Sequence, residues 1–182
     1  YGDSLATYSR AVDLARQVLE PYRVTVATAG MGVTYGLLGQ LDRAEALLKE
    51  AIAQAEERHQ SYDVGLFTLW LGVVRYQQGR YDEAEKLLVD VYNRMERLGD
   101  KDTVARCALY LAQVSYLSRK YGNATRWLKE LSALVHALGY EAFLAVEGRD
   151  KLALFQYAAS KGMGGGIYER ASKWVSEHPL SR

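Results

Sequence analysis

Apolar residues between positions 41 and 51 step by three and four: Leu41, Ala44, Leu48 and Ala51. That spacing places them on one face of a helix, with charged residues on the other. The same phase returns forty residues later at Tyr81, Ala84, Leu88 and Val91, and again at Tyr121, Ala124, Leu128 and Leu131. Leu47, Leu87 and Trp127 widen each stripe. The small alanine in each copy admits a neighbouring helix at close range, and the large residues beside it fill the space.

A second helix is predicted ahead of each of these. Met31, Leu71 and Leu111 align, followed by Gly32, Gly72 and Ala112, a large-then-small pair suited to a crossing point. Gly39 and Gly79 fall where the first helix must end in a left-handed turn, and Arg119 takes that place in the third copy. Asp42 with Glu45, and Asp82 with Glu85, have the spacing of a capping box, and Asn123 is placed to cap the third copy. The unit is therefore helix, turn, helix and connector, the connectors carrying Leu98-Gly99 and Leu138-Gly139. With only Pro21 and Pro179 as prolines, an all-helical chain is expected.

A repeat of this kind needs stacked neighbours to bury its face. The expected architecture is an all-α solenoid of antiparallel helix pairs over residues 1–178: a partial repeat at 1–22, repeats at about 24–61, 64–101 and 104–140, and a divergent pair at about 141–178. Residues 179–182 read as a linker or an added end. Tyr1 aligns with Tyr121 three beats on, so the chain is expected to be a piece of a longer protein. In the closing pair, one helix should run to about Ser160 and another should start near Ile167 after a glycine turn.

The small residues Gly32 and Gly72, the turn glycines Gly39 and Gly79, the aromatics Tyr81 and Tyr121, and Ala44, Ala84 and Ala124 together resemble the tetratricopeptide repeat family. That family's usual period is about 34 residues with a closing proline. Here the beat is forty and the proline is missing. The stretch "LALFQYAASKGMGGGIYERASKWV" adds a resemblance to the end of the helical-repeat region in large bacterial transcriptional activators of the maltose-activator type.

The tetratricopeptide resemblance implies that first helices line a concave groove. Its groove positions carry over to Trp70, Val73, Tyr76 and Gln77 in the second repeat, and to Arg106, Leu109, Tyr110, Gln113 and Tyr116 in the third. In the first repeat they fall on Ala29, Gly30, Val33, Gly36 and Leu37. Tyr81 and Tyr121 are assigned to the repeat core. Fourteen tyrosines and three tryptophans are more than packing requires. Whether the groove rings meet a guest or pack between helices stays open. An arginine there would suit a partner's carboxylate.

Candidate chemistry adds little. His59, His136 and His178 lack a ligand or base at metal-site spacing, and Cys107 reads as a small core residue. "GMGGG" at 162–166 reads as a turn, because no strand precedes it and no Lys-Ser or Lys-Thr follows. The formal net charge of +1 gives no reason to expect nucleic-acid or membrane binding, and no run of about 20 apolar residues spans a bilayer. A single cysteine fits a reducing cytoplasm. The expectation is a cofactor-free, non-enzymatic module that binds a peptide, a protein segment or a small-molecule effector, together with other domains of its parent. The activator resemblance implies the sensor region of a transcriptional regulator. The alternative is a plain scaffold that recruits a partner.

Overall fold

A computed structural model of the chain describes residues 2–17 and 20–178; Tyr1, aligned above with the turn of an earlier repeat, and residues 179–182, read above as a linker, lie outside the described residues. Among the described residues there is no strand. The helices are α1 (Gly2–Gln17), α2 (Pro21–Leu37), α3 (Leu41–Glu57), α4 (Ser61–Gln77), α5 (Tyr81–Leu98), α6 (Lys101–Leu117), α7 (Tyr121–Leu138), α8 (Ala142–Glu147), α9 (Leu152–Ser160) and α10 (Ile167–Glu177). The all-α solenoid class expected from the pattern is the class observed. The chain forms two compact units that divide within α5, between Arg94 and Met95.

In the first unit α1 packs on α2, α2 on α3, and α3 on α4. The helix types differ as their sequences require. From α3 one stripe goes inside, Ala44, Leu48, Ala51 and Ala55, each without exposed surface. α4 is apolar nearly all round and is buried from Phe67 to Tyr76 except at Trp70. The small residue at the crossing is required: a Cβ on Gly32 would sit 2.9 Å from Leu48 Cγ, and one on Gly72 would sit 3.0 Å from Leu88. In the second unit Ala124, Leu128 and Leu131 repeat the stripe with no exposure, and α6 and α7 form the pair.

Each reversal uses the same device. Gly39, Gly79 and Arg119 adopt positive φ of 73°, 75° and 59°. The amide three residues past the helix end then bonds back to a carbonyl five positions earlier: Gln40 to Tyr35 at 2.9 Å, Arg80 to Arg75 at 2.9 Å, Lys120 to Ser115 at 2.8 Å. His59, Gly99 and Gly139 are also left-handed, so a reversal falls every twenty residues. Two helices with their short turns make up the forty-residue period.

Three details differ from the expectation. The caps expected for α3 and α7 are not formed: α3 starts after Gln40 and α7 after Lys120, neither with a side-chain cap, so Asp42 and Asn123 lie inside the first turn. α5 starts at Tyr81, which likewise puts Asp82 inside. The tight turn brings each helix start forward, and Asp42 and Asp82 serve the helix dipole instead. Tyr121 is not core; it is 48% exposed. Finally, the helix expected to reach Ser160 is broken into α8 and α9 at residues 148–151. The glycine turn and α10 follow, with Phe155 and Tyr168 stacked at 6.1 Å and the Tyr168 hydroxyl donating to the Leu128 carbonyl of α7.

Candidate interaction surfaces

On α4, Trp70, Val73 and Gln77 are spaced three and four apart and share a face. With Val33, Gly36 and Leu37 of α2 and Val74, they line a shallow depression of about 10 Å³, room for about one water. A guest would therefore lie across this face rather than enter it. Trp70 is half-buried, Gln77 is exposed and Leu37 is 52% exposed, whereas Val73 is buried beneath them. Tyr76 is 8% exposed and does not line the depression; its ring lies 6.4 Å from that of Tyr81. The face is closed at one end: Ala29 is buried, and the space above Gly30 holds the Tyr8 ring of α1, 2.4 Å from where a Cβ would be.

Beside it runs a charge network that sequence spacing did not reveal. The Arg75 guanidinium, 6% exposed at the side chain, donates to both oxygens of Glu45, thirty residues away, with Nη2 to Oε1 at 2.7 Å. Lys49 Nζ stands 2.7 Å from Glu45 Oε1, and Gln78 Nε2 donates to Oε2 at 3.1 Å. The Arg75 hydrogen bond, ahead of the Lys49 and Gln78 contacts and against burial, holds the Glu45 carboxyl down to about 2. Glu45 is thus the anchor of a network rather than a capping partner.

In the second unit, Leu109 has no exposed surface and Tyr110 and Gln113 are each 5% exposed, so these three underlie the α6 face. Arg106 and Tyr116 are half-buried. Arg106 already holds carboxylates of its own chain: Nε lies 3.0 Å from Asp102 Oδ2 and Nη1 lies 2.8 Å from Glu147 Oε1. Its charge is used internally rather than kept for a partner's acid. The Tyr140 hydroxyl donates to the other Asp102 oxygen. Lys151, 2% exposed, places Nζ 4.5 Å over the Tyr110 ring, and donates to Asp150 Oδ1 at 2.5 Å and to the Glu147 carbonyl at 2.7 Å. Burial pushes the Glu147 carboxyl up and the Lys151 ammonium down. The Asp102–Arg106 spacing was visible in the sequence; Glu147 and Lys151 lie past the point where the beat slips.

Two further features belong to the second unit. Tyr116, Tyr121 and Tyr157 form a triangle with ring centroids 5.8, 5.9 and 5.4 Å apart. Between α8 and α10 an apolar cavity of about 400 Å³ is lined by Leu144, Val146, Ile167, Ala171 and Trp174, with the Glu141–Arg170 ion pair, 2.7 Å, among its walls.

Among the described residues no three His, Cys, Asp or Glu side chains are grouped to hold a metal. Cys107 has no exposed surface, and burial pushes its thiol far up, away from the thiolate a nucleophile needs. His136 and His178 each place Nδ1 on a helix carbonyl, at 2.7 and 3.0 Å. Residues 164–166 form a 3-10 turn with left-handed glycines. No helix among the described residues is long and apolar enough to cross a membrane.

No curated protein matches the chain. Residues 65–135, spanning α5, α6 and most of α4 and α7, match the tetratricopeptide repeat family model. Among solved structures the chain is similar to BtubC (BKLC) from P. vanneervenii, at a TM-score of 0.71 and 20% identity, over 100% of this chain and 75% of that one. At that identity the likeness concerns the fold. The matched segment contains the left-handed reversals at Gly79, Gly99 and Arg119, so motif and backbone agree on a tetratricopeptide repeat there.

Proposed function

We propose that this chain is a non-enzymatic module that binds a peptide or protein segment. One observation carries the reading: the α2–α4 face presents Trp70, Leu37 and Gln77 as a partly exposed apolar and amide strip beside the buried side chains of Val73 and Val74. Aromatic anchors on a rigid helical support give contact area at little ordering cost. Trp70 and Gln77 of the second repeat and Leu37 of the first, all positions of the expected groove, supply this strip, and in the third repeat Tyr116 is a half-buried ring. The half-buried Arg106 ties the end of α8 to α6 through Glu147 and Asp102. The single cysteine is in keeping with a cytoplasmic setting. In its finer form, resting on the resemblance of residues 152–175 to activator repeat regions, the module belongs to a bacterial transcriptional regulator and the guest biases its state.

The test is selection of displayed peptides on the chain, followed by binding to Trp70→Ala and Leu37→Asp. Selected peptides should lose roughly tenfold or more in affinity on either change while the melting temperature stays within a few degrees. Peptides that bind both variants as well as the parent protein would remove the α2–α4 face from the reading.

A further inference from the structure

The third repeat departs from the other two in charge at the turn between α6 and α7. Where the earlier copies have Gly39 and Gly79, it has Arg119, held at φ 59° in a conformation that glycine adopts without strain. Where they have Asp42 and Asp82, it has Gly122; where they have Glu45 and Glu85, it has Thr125. A repeat that had only to pack and reverse would keep the glycine and the acids. All three changes make this turn more positive. Residues 116–129 carry Arg119, Lys120, Arg126 and Lys129, Arg126 lying over the Trp127 ring, with Glu130 the first acid to follow, and the charged residue of 152–168 is Lys161. The chain as a whole has a net charge of +1, so this is a local concentration.

The same turn holds the tyrosine triangle. Tyr116 ends α6, Tyr121 begins α7, and Tyr157 comes from α9, four residues before Lys161. The Tyr157 hydroxyl and Thr125 Oγ1 are hydrogen-bonded at 3.0 Å, so one substituted column fixes one ring. Tyr121 is 48% exposed, and Tyr116 and Tyr157 are partly exposed. The rings are inclined to one another by 68°, 33° and 49°, which makes a faceted floor rather than a row of parallel plates.

We propose that this platform, separate from the α2–α4 face, docks an extended acidic segment containing proline. Faceted aromatic floors receive the rings of a preformed polyproline-type strand, and Arg119, between Tyr116 and Tyr121 in the turn, and Lys161, four residues past Tyr157, supply charge for acidic side chains between the prolines. Single-stranded nucleic acid also uses aromatics and cations, but it stacks successive bases on open plates along a long basic track. The inclined rings and the small local charge favour the peptide.

The test is fluorescence anisotropy on the full chain with a labelled alternating Glu-Pro peptide. An alternating Lys-Pro peptide and oligothymidylate serve as the other probes. The expected result is binding of the Glu-Pro peptide alone, weakened by added salt. Tyr121→Ala should weaken it about tenfold, Tyr121→Phe should restore most of it, and Lys161→Glu should weaken it several-fold. Arg119→Gly is the sharpest variant: it should weaken binding yet raise the melting temperature, because it relieves the left-handed strain. Failure of the parent chain to bind the Glu-Pro peptide at millimolar concentration, equal binding of the Lys-Pro peptide, or tighter binding of oligothymidylate would each overturn the proposal. So would an Arg119→Gly chain that is stabilised and binds unchanged. None of these outcomes touches Trp70 or Leu37, so the two surfaces stand or fall apart.

Discussion

Glu45 shows how one side chain can serve the fold in a way its neighbours in sequence do not announce. Three residues after Asp42 it has the spacing of a capping partner, yet it turns to Arg75 of α4, Lys49 and Gln78. These contacts, Arg75 first, lower its folded-state titration to about 2 from an ordinary 4.5. The charged form is the one the fold prefers. Its contribution is therefore complete above the ordinary carboxylate range, and is lost as pH falls from about 4.5 toward 2. Urea midpoints measured from pH 6 down to pH 2.5 should show that loss. Glu45→Gln should flatten this part of the profile and should itself cost roughly 3 kcal/mol at neutral pH, because the buried Arg75 keeps the Gln78 amide oxygen at 3.0 Å but, for a carboxylate, the half-exposed Glu83 at 3.5 Å. A variant with the parent's acid profile would place the pH dependence elsewhere.

Elements divide by how much of their logic is periodic. The outer helices α3, α5 and α7 were legible because a stripe at steps of three and four has one solution, and Ala44, Ala84 and Ala124 are indeed fully buried. Ala84→Leu should overpack that crossing and cost about 1–3 kcal/mol, read as a shift in urea midpoint at constant slope. The helix starts were less legible. An acid in the first turn looks the same whether it caps or merely faces the dipole, and the backbone turn decided the boundary. Least legible was the break between α8 and α9. It depends on contact and not on period: a Cβ on Gly148 would lie 2.2 Å from the Leu144 carbonyl and 2.3 Å from Phe155. Gly148→Ala should cost about 3 kcal/mol or more, since backbone cannot give way as a side chain can. Gly122→Ala, inside α7 with nothing within 4 Å of the added carbon, should instead stabilise by about 0.5 kcal/mol. Equal effects at the two glycines would contradict the packing around α8.

At the scale of the molecule, the forty-residue beat predicts which helices are inner and outer, but not which inner side chains reach the surface. On α6 every residue from Thr103 to Ser115 except Arg106 is buried, so the groove positions Leu109, Tyr110 and Gln113 became floor. The family's groove pattern assumes that neighbouring inner helices leave a gap; here α9 packs on α6, with Lys151 over Tyr110. That enclosure has a consequence for Cys107, which lies in the same run and has no exposed surface. Because α6 is buried through this run, with α7 and α9 packed on it, fraying of a single turn cannot reach the thiol; the helices around it must separate. A disulfide reagent should therefore label Cys107 only through unfolding. The labelling rate should rise with urea at the slope of the equilibrium transition, and the mass-labelled fraction should track the loss of helical circular dichroism. Burial raises the thiol's titration as well, so raising pH to 9 should accelerate labelling through the unfolded chain and leave the folded chain inert. Rapid stoichiometric labelling under native conditions would mean an accessible thiolate in the middle of the inner helix, and the non-catalytic reading of this chain would then have to yield to one built on that sulfur.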